Sequence, residues 1–264
     1  MFTSNPFSEI AAVIPPIAMQ VYVVLMLLLV VAGTIFDVVH KKSAKYFLGS
    51  AKRFENARTR ELSGGDRVSI ALKTAAHDVL ASGEFCNPRR RASHLLIMYG
   101  FVLFVVTTAI MIFAYPTAEV ATPAILPVLW HVGALMVMVG GYWFWFAIRV
   151  DVAAEGHPWY RIVQADLFIL SLLATTTFAF VWSALQAAGA TGWGYVFFAL
   201  FIIASTVLFG SIPWSKFAHM FFKPAAAYQR RLGEGDGSRM NLPPPADRPA
   251  QFGLGINREL PRHY

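Results

Sequence analysis

Five long apolar runs, separated by polar segments, dominate the pattern of hydrophobic and polar positions along the chain. A membrane-spanning helix needs ~20 mostly apolar residues, because inside hydrocarbon only a helix satisfies its own backbone hydrogen bonds. Each run has this length, so we predict an all-α integral membrane bundle of five transmembrane helices. The predicted spans are Pro15–Val39, His94–Ala114, Ile125–Ile148, Val163–Ala187 and Tyr195–Phe217.

The basic residues predict how these helices are oriented. All 22 Lys and Arg residues lie within Lys41–Arg91, Arg149–Arg161 or the segment from Lys216 onward, which a five-span chain places on one side. Loops rich in Lys and Arg stay in the cytoplasm. We therefore expect the N-terminus outside, the C-terminus inside, and a multi-pass location in a bacterial cytoplasmic (inner) membrane. The same rule accounts for the net charge of +7, so no nucleic-acid partner is expected.

Two cytoplasmic appendages accompany the predicted membrane domain. Residues 1–14 form an outer N-terminal segment, and residues 15–223 form the membrane domain, which contains a cytoplasmic insert at 40–92. Within the insert, Ser63 to Asp66 is typical of a break followed by a helix N-cap. An amphipathic helix should then run to about Ala81, either on the membrane surface or against a partner. Its apolar face consists of Val68, Leu72, Ala75 and Val79.

The second appendage is the Pro/Gly-rich cytoplasmic tail, residues 224–264. Its composition does not support a core of its own. One interpretation is a disordered tail. The other is a tail that wraps a soluble partner, which is suggested by four large apolar residues near its end: Phe252, Leu254, Ile256 and Leu260.

Three histidines at or within the predicted spans are the candidates for chemistry. His94 and His219 lie at the cytoplasmic ends of the second and fifth spans, at similar depth. Two imidazoles so placed suit the two axial positions of a b-type haem in a helix bundle. Arg89, Arg90 and Arg91 are placed to pair with the haem propionates. The alternative is that each histidine simply lies at the membrane interface.

The third histidine and the lone cysteine indicate which other cofactors the chain could bind. His131 lies deeper, in the outer part of the third span, and is a candidate polar group of a quinone pocket. The alternative for His131 is a hydrogen bond between helices. Cys86 is the one cysteine of the chain, and a single thiolate does not hold an iron–sulfur cluster. We therefore expect no such cluster in this chain.

Three sequence runs resemble a known family. RRRASHLLIMYGFVLFVVTT (Arg89–Thr108) and SIPWSKFAHMFFKP (Ser211–Pro224) resemble the second helix and the final helix end of cytochrome b subunits in the nitrate reductase gamma-like family. LWHVGALMVMVGG (Leu129–Gly141) is similar to the third helix of its sulfur-metabolism branch, which includes heterodisulfide reductase and quinone-interacting oxidoreductase subunits. The resemblance covers roughly residues 15–224. It implies a haem b with His94 and His219 as axial ligands of its iron.

The resemblance also predicts how many haems to expect. Relatives carry further histidine ligands at positions that match Phe104 and Phe201 here, which leaves His131 without an evident partner. One haem b is therefore expected.

The function implied by the family is that of a membrane anchor and electron-transfer subunit. Soluble iron–sulfur and flavoprotein subunits would dock on residues 41–92 and the tail, and electrons would pass to or from membrane quinone, a diffusible substrate. The chain would then have no substrate-level active site of its own beyond a quinone site. A haem-free docking scaffold is the alternative. A small transporter fits less well, since the sequence has no paired half-repeats.

Overall fold

The computed structural model describes residues 1–40, 43–83, 85, 87–151, 156–214 and 219–238. Within these ranges the chain contains helices and turns but no strand, which confirms the predicted all-α class. Helix α4 continues into a π-helical turn, Thr74–Leu80, and α6 into another, Phe144–Ile148. The α-helices are α1 (Pro6–Ile10), α2 (Pro16–His40), α3 (Ser43–Ala57), α4 (Gly64–Lys73), α5 (Pro88–Ala114), α6 (Ile125–Trp143), α7 (Leu167–Ala187), α8 (Thr191–Gly210) and α9 (His219–Asp236).

Five of these helices are long and apolar enough to cross a membrane, as predicted: α2, α5, α6 with its π-helical turn, α7 with the 3₁₀ turn before it, and α8. Four of them, α2, α5, α6 and α8, present exposed large apolar side chains on their outer surfaces, whereas the apolar side chains of α7 are buried or half-buried apart from Ala187. Helix α2 does so most, because Met19, Met26, Gly33 and Asp37 are its only buried residues. Apolar surface on this scale is stable only when lipid or protein covers it, so the chain is a multi-pass membrane protein.

Helix α5 begins six residues before the predicted start of the second span. Asn87 explains the difference, because its side-chain oxygen accepts hydrogen bonds from the backbone nitrogens of Arg89 (2.9 Å) and Arg90 (3.4 Å). Pro88 at the first helical position fits this cap. The arginine triplet is therefore helical and lies on the same helix as His94.

Helix α8 ends earlier than predicted, and this changes the position of His219. The sequence predicted that the fifth span would run to Phe217 and that His219 would close it. Instead α8 ends at Gly210, a 3₁₀ turn follows at Ile212–Trp214, and His219 begins α9. Pro213 supplies a reason, since it has no backbone N–H to continue the hydrogen-bond pattern of α8.

The chain divides into two compact units. The first contains residues Met1–Asp37 and Ala92–Ala218, and is the membrane bundle. Here α5 and α6 approach each other closely at glycines. A Cβ built on Gly100 would lie 2.8 Å from the Gly133 carbonyl oxygen, and one built on Gly140 would lie 2.8 Å from the Ser93 carbonyl oxygen. Glycine at these positions lets two backbones meet, as in many membrane helix pairs.

The N-terminal segment is folded onto one end of this bundle. Asn5 caps α1 by accepting a hydrogen bond from the Phe7 backbone nitrogen (3.0 Å). Its side-chain nitrogen donates to the Tyr115 carbonyl oxygen (3.0 Å) and to the Thr122 hydroxyl (3.1 Å). Phe7 and Ile10 are buried in the bundle core. The predicted outer segment is thus part of the packed bundle.

The second unit contains Val38–Arg91 and the residues from His219 onward. Ser63 caps α4 through a capping box with Asp66, which confirms that a helix begins there. Helix α3 was not predicted. Helix α9 packs against α4 and its π-helical turn, so the described start of the predicted tail is helical. Pro224 lies inside α9 and costs one intrahelical hydrogen bond there.

Candidate functional site

His94 lies in the bundle, one residue after the close contact between α5 and α6. The Ser93 hydroxyl donates a hydrogen bond to the Gly140 carbonyl oxygen (2.8 Å). Ser93 is buried, whereas His94 is half-buried. The imidazole therefore belongs to a helix whose position is fixed by its neighbour. Cofactor sites in helix bundles are built from side chains on facing helices of this kind.

The three arginines before His94 have different surroundings. Arg89 is exposed at the start of α5. Arg90 lies over the Phe85 ring, 6.0 Å from its centroid. Arg91 donates a hydrogen bond from Nε to the Ala81 carbonyl oxygen (2.7 Å), so it holds the segment that leads into α5. Pairing of these arginines with haem propionates stays a prediction, and Arg89 is the one that projects into solvent.

His219 belongs to the second unit, as the first residue of α9. Its side chain lies outside the described part of the structure. The predicted pairing of His94 with His219 around one haem iron therefore stays a prediction. Cys86 and the tail from residue 239 onward, including Phe252, Leu254, Ile256 and Leu260, lie outside the described residues.

His131 is completely buried in the bundle, near the start of α6. Its Nδ1 lies 2.6 Å from the Pro127 carbonyl oxygen, and its Nε2 lies 2.9 Å from the Ser183 hydroxyl on α7. A carbonyl oxygen only accepts hydrogen bonds, so Nδ1 carries the proton. A neutral ring then accepts the Ser183 proton at Nε2.

Both ring nitrogens of His131 are thus used within the protein. The side chain forms the hydrogen bond between helices that was the alternative to a quinone contact. Phe2, Trp130 and Phe180 lie around the ring, with centroids 5.0, 4.9 and 5.7 Å away. A quinone could reach Nε2 only by displacing Ser183, so the quinone role stays a prediction.

An aromatic cluster fills the same end of the bundle. Phe104 stacks on Trp130 (5.1 Å between centroids), and Phe201 stacks on Trp182 (5.8 Å). Phe7 from α1 packs edge-on against both tryptophans. All five rings are buried. We refer to Phe7, Phe104, Trp130, Trp182 and Phe201 as the aromatic cluster.

The aromatic cluster bears on whether a second haem fits. Neither Phe104 nor Phe201 has a side chain that offers a donor atom to iron. Buried rings surround this region, and among the described residues the imidazole at this end is that of His131, which is bonded at both nitrogens. These residues do not fit a bis-histidine haem at this end of the bundle.

A buried arginine at the opposite end of α6 was not identified from the sequence. The Arg149 guanidinium is 0% exposed and lies 4.2 Å from the centroid of the Trp145 ring. It forms an ion pair with Asp166 (2.5 Å between Nη2 and Oδ2). It also donates to the carbonyl oxygens of Pro158 (2.9 Å) and Arg161 (2.5 Å).

Sequence reasoning assigned Arg149 only to the set of basic loop residues. The signal that could have identified it was an arginine directly after an apolar span, with an aspartate at the start of the next span. A buried charge at a span end needs such a partner.

The second unit carries the predicted amphipathic helix, and its apolar face is exposed. Val68, Leu72 and Ala75 are exposed, whereas Thr74 and Asp78 on the other side are buried. Val79, the fourth predicted member of this face, is half-buried. Asp78 anchors α9 through Arg231, with Nε to Oδ2 at 2.6 Å and Nη2 to Oδ1 at 3.0 Å. The Arg231 guanidinium holds the pKa of Asp78 at about 2, well below its usual value. We refer to Val68, Leu72 and Ala75 as the exposed apolar face.

Comparison with known proteins identified no relative of this chain. No family model, no curated protein and no solved structure matches the chain. The family resemblance therefore rests on the three sequence runs, and the family stays a prediction.

Proposed function

We propose that this chain is the membrane anchor and electron-transfer subunit of a quinone-linked oxidoreductase complex. Its N-terminus would lie outside a bacterial cytoplasmic membrane and its second unit in the cytoplasm, as the basic residues indicate. The chain resembles the membrane anchor of dissimilatory adenylylsulfate reductase in its five spans, its single cysteine and its cytoplasmic appendages. A role in sulfur metabolism follows from that resemblance.

The observation that carries the proposal is the position of His94. This half-buried imidazole lies on α5, just after three arginines and next to a glycine-mediated helix contact. His94 and His219 would hold the haem iron, and Arg89 would pair with a propionate. A haem b held there would supply one-electron transfer between a partner's iron–sulfur clusters and quinone. The surrounding apolar helices would exclude water.

The exposed apolar face supports the docking part of the proposal. It lies on a helix that is capped at Ser63 and tied to α9 through Asp78 and Arg231. A surface that stays exposed while its helix is held rigidly is suited to binding another protein. Soluble iron–sulfur and flavoprotein subunits would dock there and on the tail.

The test compares histidine variants of the purified chain by their visible spectra. His94→Ala and His219→Ala should each abolish the reduced low-spin b-type spectrum or convert it to a high-spin, weakly held form, since both imidazoles bind one iron. His40→Ala, at the end of α2, is the matched control and should leave the spectrum unchanged. A low-spin spectrum that survives either ligand substitution would refute the assignment.

The haem-free docking scaffold is the second candidate, because the exposed apolar face serves it equally well. Docking is tested by Leu72→Asp, which should release partner subunits from membranes. Ser69→Asp, on an exposed neighbour outside the apolar face, is its control. Partner release by Leu72→Asp from a chain that never contains haem would favour the scaffold.

A further inference from the structure

The loop that follows α6 presents large apolar side chains outward. Trp159, Tyr160 and Ile162 are 58%, 70% and 66% exposed. Between them lies Arg161, whose side chain is also exposed. We refer to residues 157–163 as the aromatic loop. Loops that face water are ordinarily polar, so this exposure needs an explanation.

Arg149 provides hydrogen-bond donors for the backbone carbonyl groups of the aromatic loop. The guanidinium donates hydrogen bonds to the carbonyl oxygens of Pro158 and Arg161. The Asp166 carboxylate accepts a hydrogen bond from the Val163 backbone nitrogen (2.9 Å). The Arg161 nitrogen donates to the Pro158 carbonyl oxygen (3.0 Å). These groups therefore do not depend on water for hydrogen bonds. Non-helical backbone is tolerated near hydrocarbon only under that condition.

The rings of the aromatic loop continue the lipid-facing surface of α6. Tyr142 stacks on Phe146 (6.2 Å between centroids), Phe146 contacts Trp159 (6.4 Å), and Trp159 contacts Tyr160 (5.8 Å). Tyr142 and Phe146 belong to a span and are themselves exposed. The row of rings thus extends from a surface that lipid covers into the loop.

We propose that the aromatic loop inserts into the interfacial layer of the phospholipid bilayer, with Arg149 replacing water as its hydrogen-bond donor. Tryptophan and tyrosine are enriched in this layer, where a ring meets acyl chains and a polar tip meets headgroups. The exposed Arg161 guanidinium would extend to headgroup phosphates. This role is independent of haem and of partner subunits.

The test uses spin labels on single cysteines, in the full chain with Cys86→Ser, reconstituted at one chain per phosphatidylcholine–phosphatidylglycerol nanodisc. Ile162→Cys probes the loop. Val139→Cys, on the exposed face of α6, reports lipid, and Glu119→Cys, in the loop between α5 and α6, reports water. The readout is the accessibility of the label to oxygen, which concentrates in lipid, relative to a water-soluble nickel chelate.

The label at position 162 should show an oxygen-to-nickel ratio severalfold above that at position 119 and closer to that at position 139. A ratio equal to that at position 119 would place the loop in water and overturn the proposal. Low accessibility to both reagents would mean that protein covers the loop, and would overturn it equally.

The role of Arg149 is tested in the same labelled chain. Arg149→Gln removes the donors to the loop carbonyls, so the ratio at position 162 should fall severalfold toward that of position 119, with the ratio at position 139 unchanged. Trp159→Phe provides a second measurement that leaves the loop intact. Brominated lipid should quench fluorescence in the parent chain more than in this variant, and equal quenching of both would contradict insertion.

Discussion

At the end of the bundle where α6 begins, large aromatic side chains fill the space between helices. At the end where α6 finishes, small residues bring α5 and α6 together, and a buried Arg149–Asp166 pair holds the following loop. The first end gains stability from packed rings, and both nitrogens of His131 are bonded internally there. The second end contains the half-buried His94. This difference restricts the proposed haem to the second end.

The largest effect is expected from breaking the ion pair at the second end. Arg149→Ala leaves the Asp166 carboxylate without its partner and two carbonyl oxygens without donors. The free energy of unfolding should fall by ~5 kcal/mol, at the upper end for a broken buried pair. Unfolding of the detergent-solubilised protein by SDS measures the loss. Arg161→Ala, an exposed arginine of the same loop, should change stability by less than ~0.5 kcal/mol. Equal losses for both would contradict the buried role.

The aromatic end should depend on ring packing. Trp130 is completely buried, stacks on Phe104 and donates from Nε1 to the Thr108 hydroxyl (2.8 Å). Trp130→Ala should therefore destabilise the bundle by about 3–4 kcal/mol, since it leaves a large cavity. Trp193→Ala, at an exposed tryptophan of α8, is the matched control and should have little effect. If the two variants unfold alike, packing is not what stabilises this end.

A smaller effect is expected for the hydrogen bond from His131 to Ser183. Buried hydrogen bonds between membrane helices are worth about 1 kcal/mol, because the unfolded chain in lipid also finds partners. A double-mutant cycle of His131→Ala and Ser183→Ala isolates this energy from the cavity that the histidine leaves. A coupling energy near zero would mean that the contact does not link α6 to α7.

The second unit has an ion pair of its own, between Asp78 and Arg231, whose stabilising effect can be compared with that of Arg149–Asp166. Because Arg231 lowers the pKa of Asp78 to about 2, the stabilisation is fully present above the unfolded pKa of about 4. It should be lost as the pH falls from about 4 to about 2, at a cost of about 2 kcal/mol. Protease resistance of α9 across this pH range measures the loss. Arg231→Gln should remove most of this pH dependence, since His77 also lowers the pKa of Asp78 but to a smaller extent. A variant that keeps the full pH dependence would assign the effect to another group.

The length of the apolar runs was sufficient to predict the five spans, because the thickness of the hydrocarbon layer dictates how long a spanning helix must be. The helix ends were not predictable in the same way. Asn87 and Pro88 begin α5 early, and Pro213 ends α8 early, through local capping and steric effects that an apolar run does not report. Residues 224–236 of α9 were interpreted as part of a tail because of the Pro/Gly-rich composition of residues 224–264, although contacts of α9 with α4 stabilise this helix.

The candidate site was predictable only in part. His94 was singled out by its place beside an arginine triplet, and its role as a haem ligand stays a prediction. The internal bonding of His131 could not, because it depends on Ser183, 52 positions away in sequence. Arg149 was missed for a related reason. Its partners come from a loop whose path is fixed only when the two flanking helices are packed.

The central claim is that one haem b binds at the His94 end of the bundle and none at the aromatic end. The most direct test is the molar ratio of haem to protein in the full chain, purified from membranes of a host that makes haem b. The account predicts one low-spin haem b per chain. A ratio of zero would favour the docking scaffold, and a ratio of two would show that the aromatic end holds a haem despite its packed rings.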